Sequence, residues 1–73
     1  LAHSFVIKGD HIQLDQLLKV LGLVGTGGEA HVRIEAGEVL VDGVVEERKR
    51  AKLRAGQQVQ LGDDTVHLVA EQP

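Results

Sequence analysis

The chain contains no cysteine, which excludes disulfides and thiolate metal sites and leaves a reducing cytoplasm as the expected compartment. Tyrosine and tryptophan are absent, and Phe5 is the single aromatic residue. Proteins that read single strands stack unpaired bases on exposed rings. One phenylalanine, expected to be buried, cannot build such a platform, so any polyanion must be recognised by charge and shape. Ser4 is the only serine and has no His/Asp pattern around it, so nucleophilic catalysis finds no support. No apolar run approaches the roughly 20 residues needed to cross a bilayer, and no membrane partner is expected. The start, Leu1-Ala2-His3-Ser4-Phe5, lacks both an initiating Met and the basic-then-apolar pattern of a secretion signal, so an upstream residue or two is expected.

What is present is a concentration of positive charge. The 73 residues carry a formal net charge of -3, yet five of the eight Lys and Arg side chains fall in the seven positions from Arg48 to Arg54. The rest of the chain holds three basic and eleven acidic residues, a net -8, so attraction to a polyanion must be local. Read as an extended strand, Arg48, Arg50, Lys52 and Arg54 share one face, while Ala51 and Leu53 face a core. The plainer reading is a solvated loop in which Glu46 and Glu47 neutralise two of the charges. Length favours a binding module, because a chain this short forms one domain, residues 1–73, with little room for an enclosed catalytic cavity.

Along the chain, Ser4-Phe5-Val6-Ile7-Lys8 reads as a strand closed by Gly9-Asp10, and His11-Ile12 as a further extended stretch. Leu14, Leu17, Leu18 and Leu21 recur at helical spacing and predict an amphipathic helix ending near Gly22. A second helix is predicted from Thr26, with Thr26 and Glu29 forming a capping box, through Ala30 and Ile34 to a stop at Gly37. The two should pack together, with all six apolar positions in one core. The period then changes to two: Val39-Leu40-Val41, the turn Asp42-Gly43, and Val44-Val45 form a predicted hairpin. A second hairpin, about residues 57–69, turns at Gly62-Asp63-Asp64. The order predicts an α+β domain, two packed N-terminal helices against a small, mainly antiparallel sheet.

Over about residues 12–61 these features resemble the RNA-binding domain named after ribosomal small-subunit protein four, whose core is called the αL motif. The residues that carry the resemblance are Leu14-Asp15 with Leu17-Leu18-Lys19, Thr26-Gly27-Gly28-Glu29-Ala30, Ile34, Gly37, Val39-Leu40-Val41-Asp42-Gly43, the basic run and Gly56. Thr-Gly-Gly-Glu-Ala and Glu-Glu-Arg-Lys-Arg-Ala-Lys resemble the stand-alone bacterial proteins of the YbcJ type. The resemblance implies non-enzymatic binding of structured RNA, such as ribosomal or transfer RNA, by the start of the second helix and the basic strand-loop. Free N–H groups at a helix start, with no side chain at Gly27 or Gly28, suit a phosphate. Many relatives carry Arg where this chain has Gln13 and Gly27, and His31 stands where a basic residue is common, so binding is expected to lean on the basic run.

The candidate RNA-binding residues are therefore Lys19, Thr26, Gly27, Gly28, His31, Arg48, Lys49, Arg50, Lys52 and Arg54. Lys19 reads equally as a surface lysine on the polar face of its helix, and Arg33 as a partner of Glu29 four residues earlier. His3, His11, His31 and His67 have no i, i+4 pair to hold a metal, the glycines from Gly22 to Gly28 lack the Lys-Ser/Thr of a phosphate-binding loop, and Asp63-Asp64 reads as turn chemistry. No cofactor motif is present. The rival reading is a protein-interaction module whose basic strip docks on an acidic partner, for example at the ribosome. A cytoplasmic monomer, associated with RNA or the ribosome, is the expectation.

Overall fold

The computed structural model describes residues 1–72. Its elements, in chain order, are β1 (Ala2–Ile7), β2 (Ile12–Gln13), α1 (Leu14–Val20), α2 (Gly27–Glu35), β3 (Val39–Val41), β4 (Val44–Val45), β5 (Lys52–Leu53), β6 (Gln58–Leu61) and β7 (Asp64–Ala70). Two helices pack against a mainly antiparallel five-stranded sheet of order β1-β7-β6-β3-β4, and β2 and β5 form a separate two-stranded ladder. Within the larger sheet, β1 runs parallel to β7, with Phe5 opposite Leu68 and Val6 opposite Val69. Local periodicity in the first strand could not reveal that its partner is the last one.

The leucine spacing of α1 places Leu14, Leu17 and Leu18 in the core, each fully buried, together with Ala30 and Ile34 from α2. Leu21 departs from the expectation: it lies just past the helix as its C-cap and is only half-buried against the core. Both helices end in the same way. After α1, the Gly22 and Leu23 N–H groups donate to the Lys19 and Leu18 carbonyls; after α2, those of Gly37 and Glu38 donate to Ile34 and Arg33. This pattern satisfies the last carbonyls and requires a positive φ at its glycine, 74° at Gly22 and 78° at Gly37.

Helix starts differ. Thr26 caps α2 as expected, its Oγ1 accepting from the Glu29 N–H at 3.0 Å. The reciprocal half of the box is displaced: Glu29 Oε1 accepts from the Gly25 N–H at 2.7 Å. By contrast, α1 has no side-chain cap at Gln13. Its Leu14 and Asp15 N–H groups donate instead to the carbonyls of Ala51 (3.0 Å) and Lys49 (3.1 Å). A seven-residue helix is marginal on its own, so α1 begins where the basic segment clamps it.

The Asp42-Gly43 turn joins β3 to β4 with φ of 52° and 83°, the two positive values a type I′ turn demands. The basic run is not one extended strand. Lys49 and Arg50 form a turn, and only Lys52–Leu53 pair as strand, opposite Gln13 and Ile12. The inward alternation nevertheless holds where packing enforces it, since Ala51 and Leu53 are buried. Asp64 belongs to β7 rather than to a solvated turn, and His3 Nε2 donates to its Oδ1 at 3.0 Å. That contact holds the carboxyl below the ordinary range for aspartate. Phe5, expected in the core, is half-buried at its margin.

Candidate nucleic-acid interface

The basic segment is held by its backbone. Two of its carbonyls cap α1, the β2–β5 ladder fixes Lys52, and Ala51 and Leu53 anchor it in the core. The side chains between those anchors project outward: Arg48, Arg50, Lys52 and Arg54 are exposed, and Lys49 is half-exposed.

These five cations are not equivalent. Arg48 makes a two-pronged contact with Glu46, Nε to Oε2 and Nη2 to Oε1, both at 3.0 Å. The pairing holds the Glu46 carboxyl below its ordinary value and raises Arg48 above its own. Lys49 Nζ sits 3.3 Å from Glu35 Oε2 at the far end of α2. Arg54 reaches Asp10, 2.7 Å from the carboxylate and 3.2 Å from the main-chain carbonyl. Its guanidinium holds that carboxyl below the usual aspartate range. Among the described residues, Arg50 and Lys52 make no ion pair, nor does Lys19. The plain reading of the run as a partly neutralised loop is thus half right: Glu46 is engaged, Glu47 is not, and the other carboxylates come from distant segments.

At the start of α2, Thr26 and Gly28 are exposed and Gly27 is half-exposed. The Gly27 and Gly28 N–H groups have no acceptor among the described residues. A Cβ at Gly27 would meet nothing within 4 Å, so neither packing nor backbone conformation demands glycine there. His31 points to α1, its Nε2 donating to Asp15 Oδ2 at 3.0 Å, and so ties the helices together. Arg33 lies 3.8 Å from Glu29 but makes its shorter contact, 2.6 Å, with Glu38.

The candidate residues thus form two groups. Lys49 meets α2 at its last residue, whereas Thr26 to Gly28 lie at its first turn, roughly 12 Å away along the axis at 1.5 Å per residue. Asp15 and His31 occupy the ground between them. Sequence reasoning missed Glu35 and Asp10, which neutralise Lys49 and Arg54 from 14 and 44 residues away, distances over which local charge patterns carry no signal.

A family model described as S4 domain matches residues 5–69. YbcJ of Escherichia coli (strain K12), whose name proposes RNA binding, is 44% identical over 63 residues, covering 86% of this chain and 90% of the relative. YbcJ of Shigella flexneri matches with the same identity and coverage. The solution structure of YbcJ from E. coli, described as revealing an αL motif involved in RNA-binding, superposes with a TM-score of 0.68 at 42% identity, covering 94% of this chain and 86% of that one.

Proposed function

Because the chain belongs to the S4 domain family, we propose that it is a non-enzymatic RNA-binding protein that recognises the phosphate backbone and shape of folded RNA. Arg50 and Lys52 carry this reading: they are exposed cations without an ion pair among the described residues, on a segment whose backbone is locked to the core, in a chain whose remainder is net negative. A rigid mount lowers the ordering cost of phosphate contacts, and Arg can bind a phosphate in a two-pronged way.

Arg48, Lys49 and Arg54 form a second tier, reached by exchanging a carboxylate for a phosphate. Thr26, Gly27 and Gly28 offer two free N–H groups and the positive end of the α2 dipole to a second phosphate. Lys19, exposed near the end of α1 and without an ion pair among the described residues, is a further candidate contact, and His31 acts by holding α1 against α2. The favoured targets are ribosomal or transfer RNA met by a monomer in the cytoplasm.

Co-purification with and without nuclease treatment tests the reading. RNA-dependent association and direct binding of a purified hairpin support it. Association that survives nuclease, with no hairpin binding, moves the basic strip to an acidic protein partner.

A further inference from the structure

A cleft of about 400 Å³ opens beside β1, between that strand and the start of α1. Its volume falls within the roughly 300–1,000 Å³ of small-ligand sites. The apolar wall comes from Phe5, Val6, Ile7 and Ile12, and the polar groups are Lys8, His11 and Gln16. On the basis that the protein binds RNA, we propose that this cleft receives a single unstacked nucleotide of the bound RNA, with the base against the Phe5 ring and the phosphate at Lys8.

Four observations converge on a nucleotide. Phe5 is the only phenylalanine in a chain without tyrosine or tryptophan, and it sits half-buried at the core's margin, lining the cleft. One ring supports one base, which distinguishes this site from a stacking platform. Lys8 makes no ion pair among the described residues, so its charge is available to a phosphate. His11 also lines the cleft, its buried Nδ1 lying 3.6 Å from the Asp10 carboxylate, and contributes a half-buried imidazole to the polar side of the wall. Gln16 is exposed and carries both donors and an acceptor, which suits the edge of a base.

The cleft also joins the basic surface physically. Ile12 in its wall pairs with Leu53, the neighbouring Gln13 pairs with Lys52, and Arg54 grips Asp10, beside His11. An RNA strand on Arg50 and Lys52 therefore passes the segment that forms the rim.

The test uses three hairpins with the same stem and loop: one fully paired, one with a single 2-aminopurine bulge, and one with an abasic residue at the bulge. Binding by anisotropy should favour the base-bearing bulge over the abasic one by about five-fold or more, the lower end of the range for one base stacked on one ring. Fluorescence of the 2-aminopurine should fall on binding. Phe5→Leu keeps apolar bulk and should erase that ratio while leaving affinity for the fully paired hairpin unchanged; Gln16→Ala, at an exposed position, should reduce the ratio and guards against a folding defect in the first variant. Equal affinity of the parent for base and abasic bulges overturns the inference and leaves the cleft to an apolar side chain of a protein partner. A ratio that survives both substitutions overturns it too. Failure to bind any of the three hairpins overturns the RNA-binding reading itself.

Discussion

Arg48 and Arg50 are two residues apart and carry the same charge, yet they should contribute differently to RNA binding. Arg48 is already held at 3.0 Å by both oxygens of Glu46, whereas Arg50 has no carboxylate partner among the described residues. A phosphate that takes Arg48 must displace Glu46 and leave that carboxylate unpaired, so most of the attraction is offset. A phosphate on Arg50 displaces only water and counterions. Each phosphate neutralised contributes roughly 0.7 to 0.9 to the slope of log affinity against log salt. The Arg50→Gln/Lys52→Gln double variant should flatten that slope by about 1.4 to 1.8. Arg48→Gln should flatten it by less than half of what Arg50→Gln alone does, while Glu46→Gln frees Arg48 and should steepen it by up to about 0.9. Anisotropy titrations of a fully paired hairpin over a series of KCl concentrations measure all four. Arg33→Gln removes the same unit charge from a residue held by Glu38 at 2.6 Å and serves as the control for net charge. The reasoning is refuted if Arg48→Gln and Arg50→Gln change the slope equally, or if Arg33→Gln matches Arg50→Gln.

Leu17 is fully buried in the helix–sheet core, so Leu17→Ala should cost about 2–5 kcal/mol and lower the thermal midpoint by at least about 8 °C; an unchanged melt contradicts the core assignment. Gly27 faces open space in the first turn of α2, where a carboxylate is compatible with the helix dipole, so Gly27→Glu should fold normally yet weaken hairpin binding by repelling phosphate. Equal affinity in that variant removes the α2 start from the interface. Asp10, Glu46 and Asp64 are all held below their ordinary values, chiefly by Arg54, Arg48 and His3 respectively. A lowered folded-state pKa gives stability that is present above the unfolded value and lost as pH falls through the folded one. Thermal midpoints should therefore drop as pH falls below the unfolded values of 4.5 for Glu46 and 3.8 for the two aspartates, and a rise over that window contradicts the pairing.

Local chemistry made much of the molecule legible. The α1 face of Leu14, Leu17 and Leu18, the Thr26 cap, the glycines that close both helices and the Asp42-Gly43 turn each satisfy a requirement within a few residues, and each forms as expected; Leu21, the fourth leucine of the period, does not. The basic run could be located for the same reason, since charge density is a property of composition. Its inward residues were legible from alternation, but its shape was not, because the Lys49 and Ala51 carbonyls in and after the turn are held by the Asp15 and Leu14 N–H groups of α1, more than thirty residues earlier.

Three features depend on contacts between segments far apart in the chain. The parallel pairing of β1 with β7 joins strands whose own patterns are complete without each other, so nothing in either one names its partner. Phe5 stands at the core's margin rather than within it because β1 is the edge of the sheet, and an edge position is a property of strand order. Arg48 pairs locally with Glu46, but the pairing of Lys49 and Arg54 follows from where Glu35 and Asp10 come to rest. The sequence by itself determined the helices, their ends, the hairpin turn and the place where positive charge accumulates, since these are settled by torsional preference, hydrophobic period and neighbouring side chains. Only the tertiary structure decided which of those charges remain free, because neutralisation depends on distance in space, and the fold brings carboxylates from remote segments to some cations and not to others.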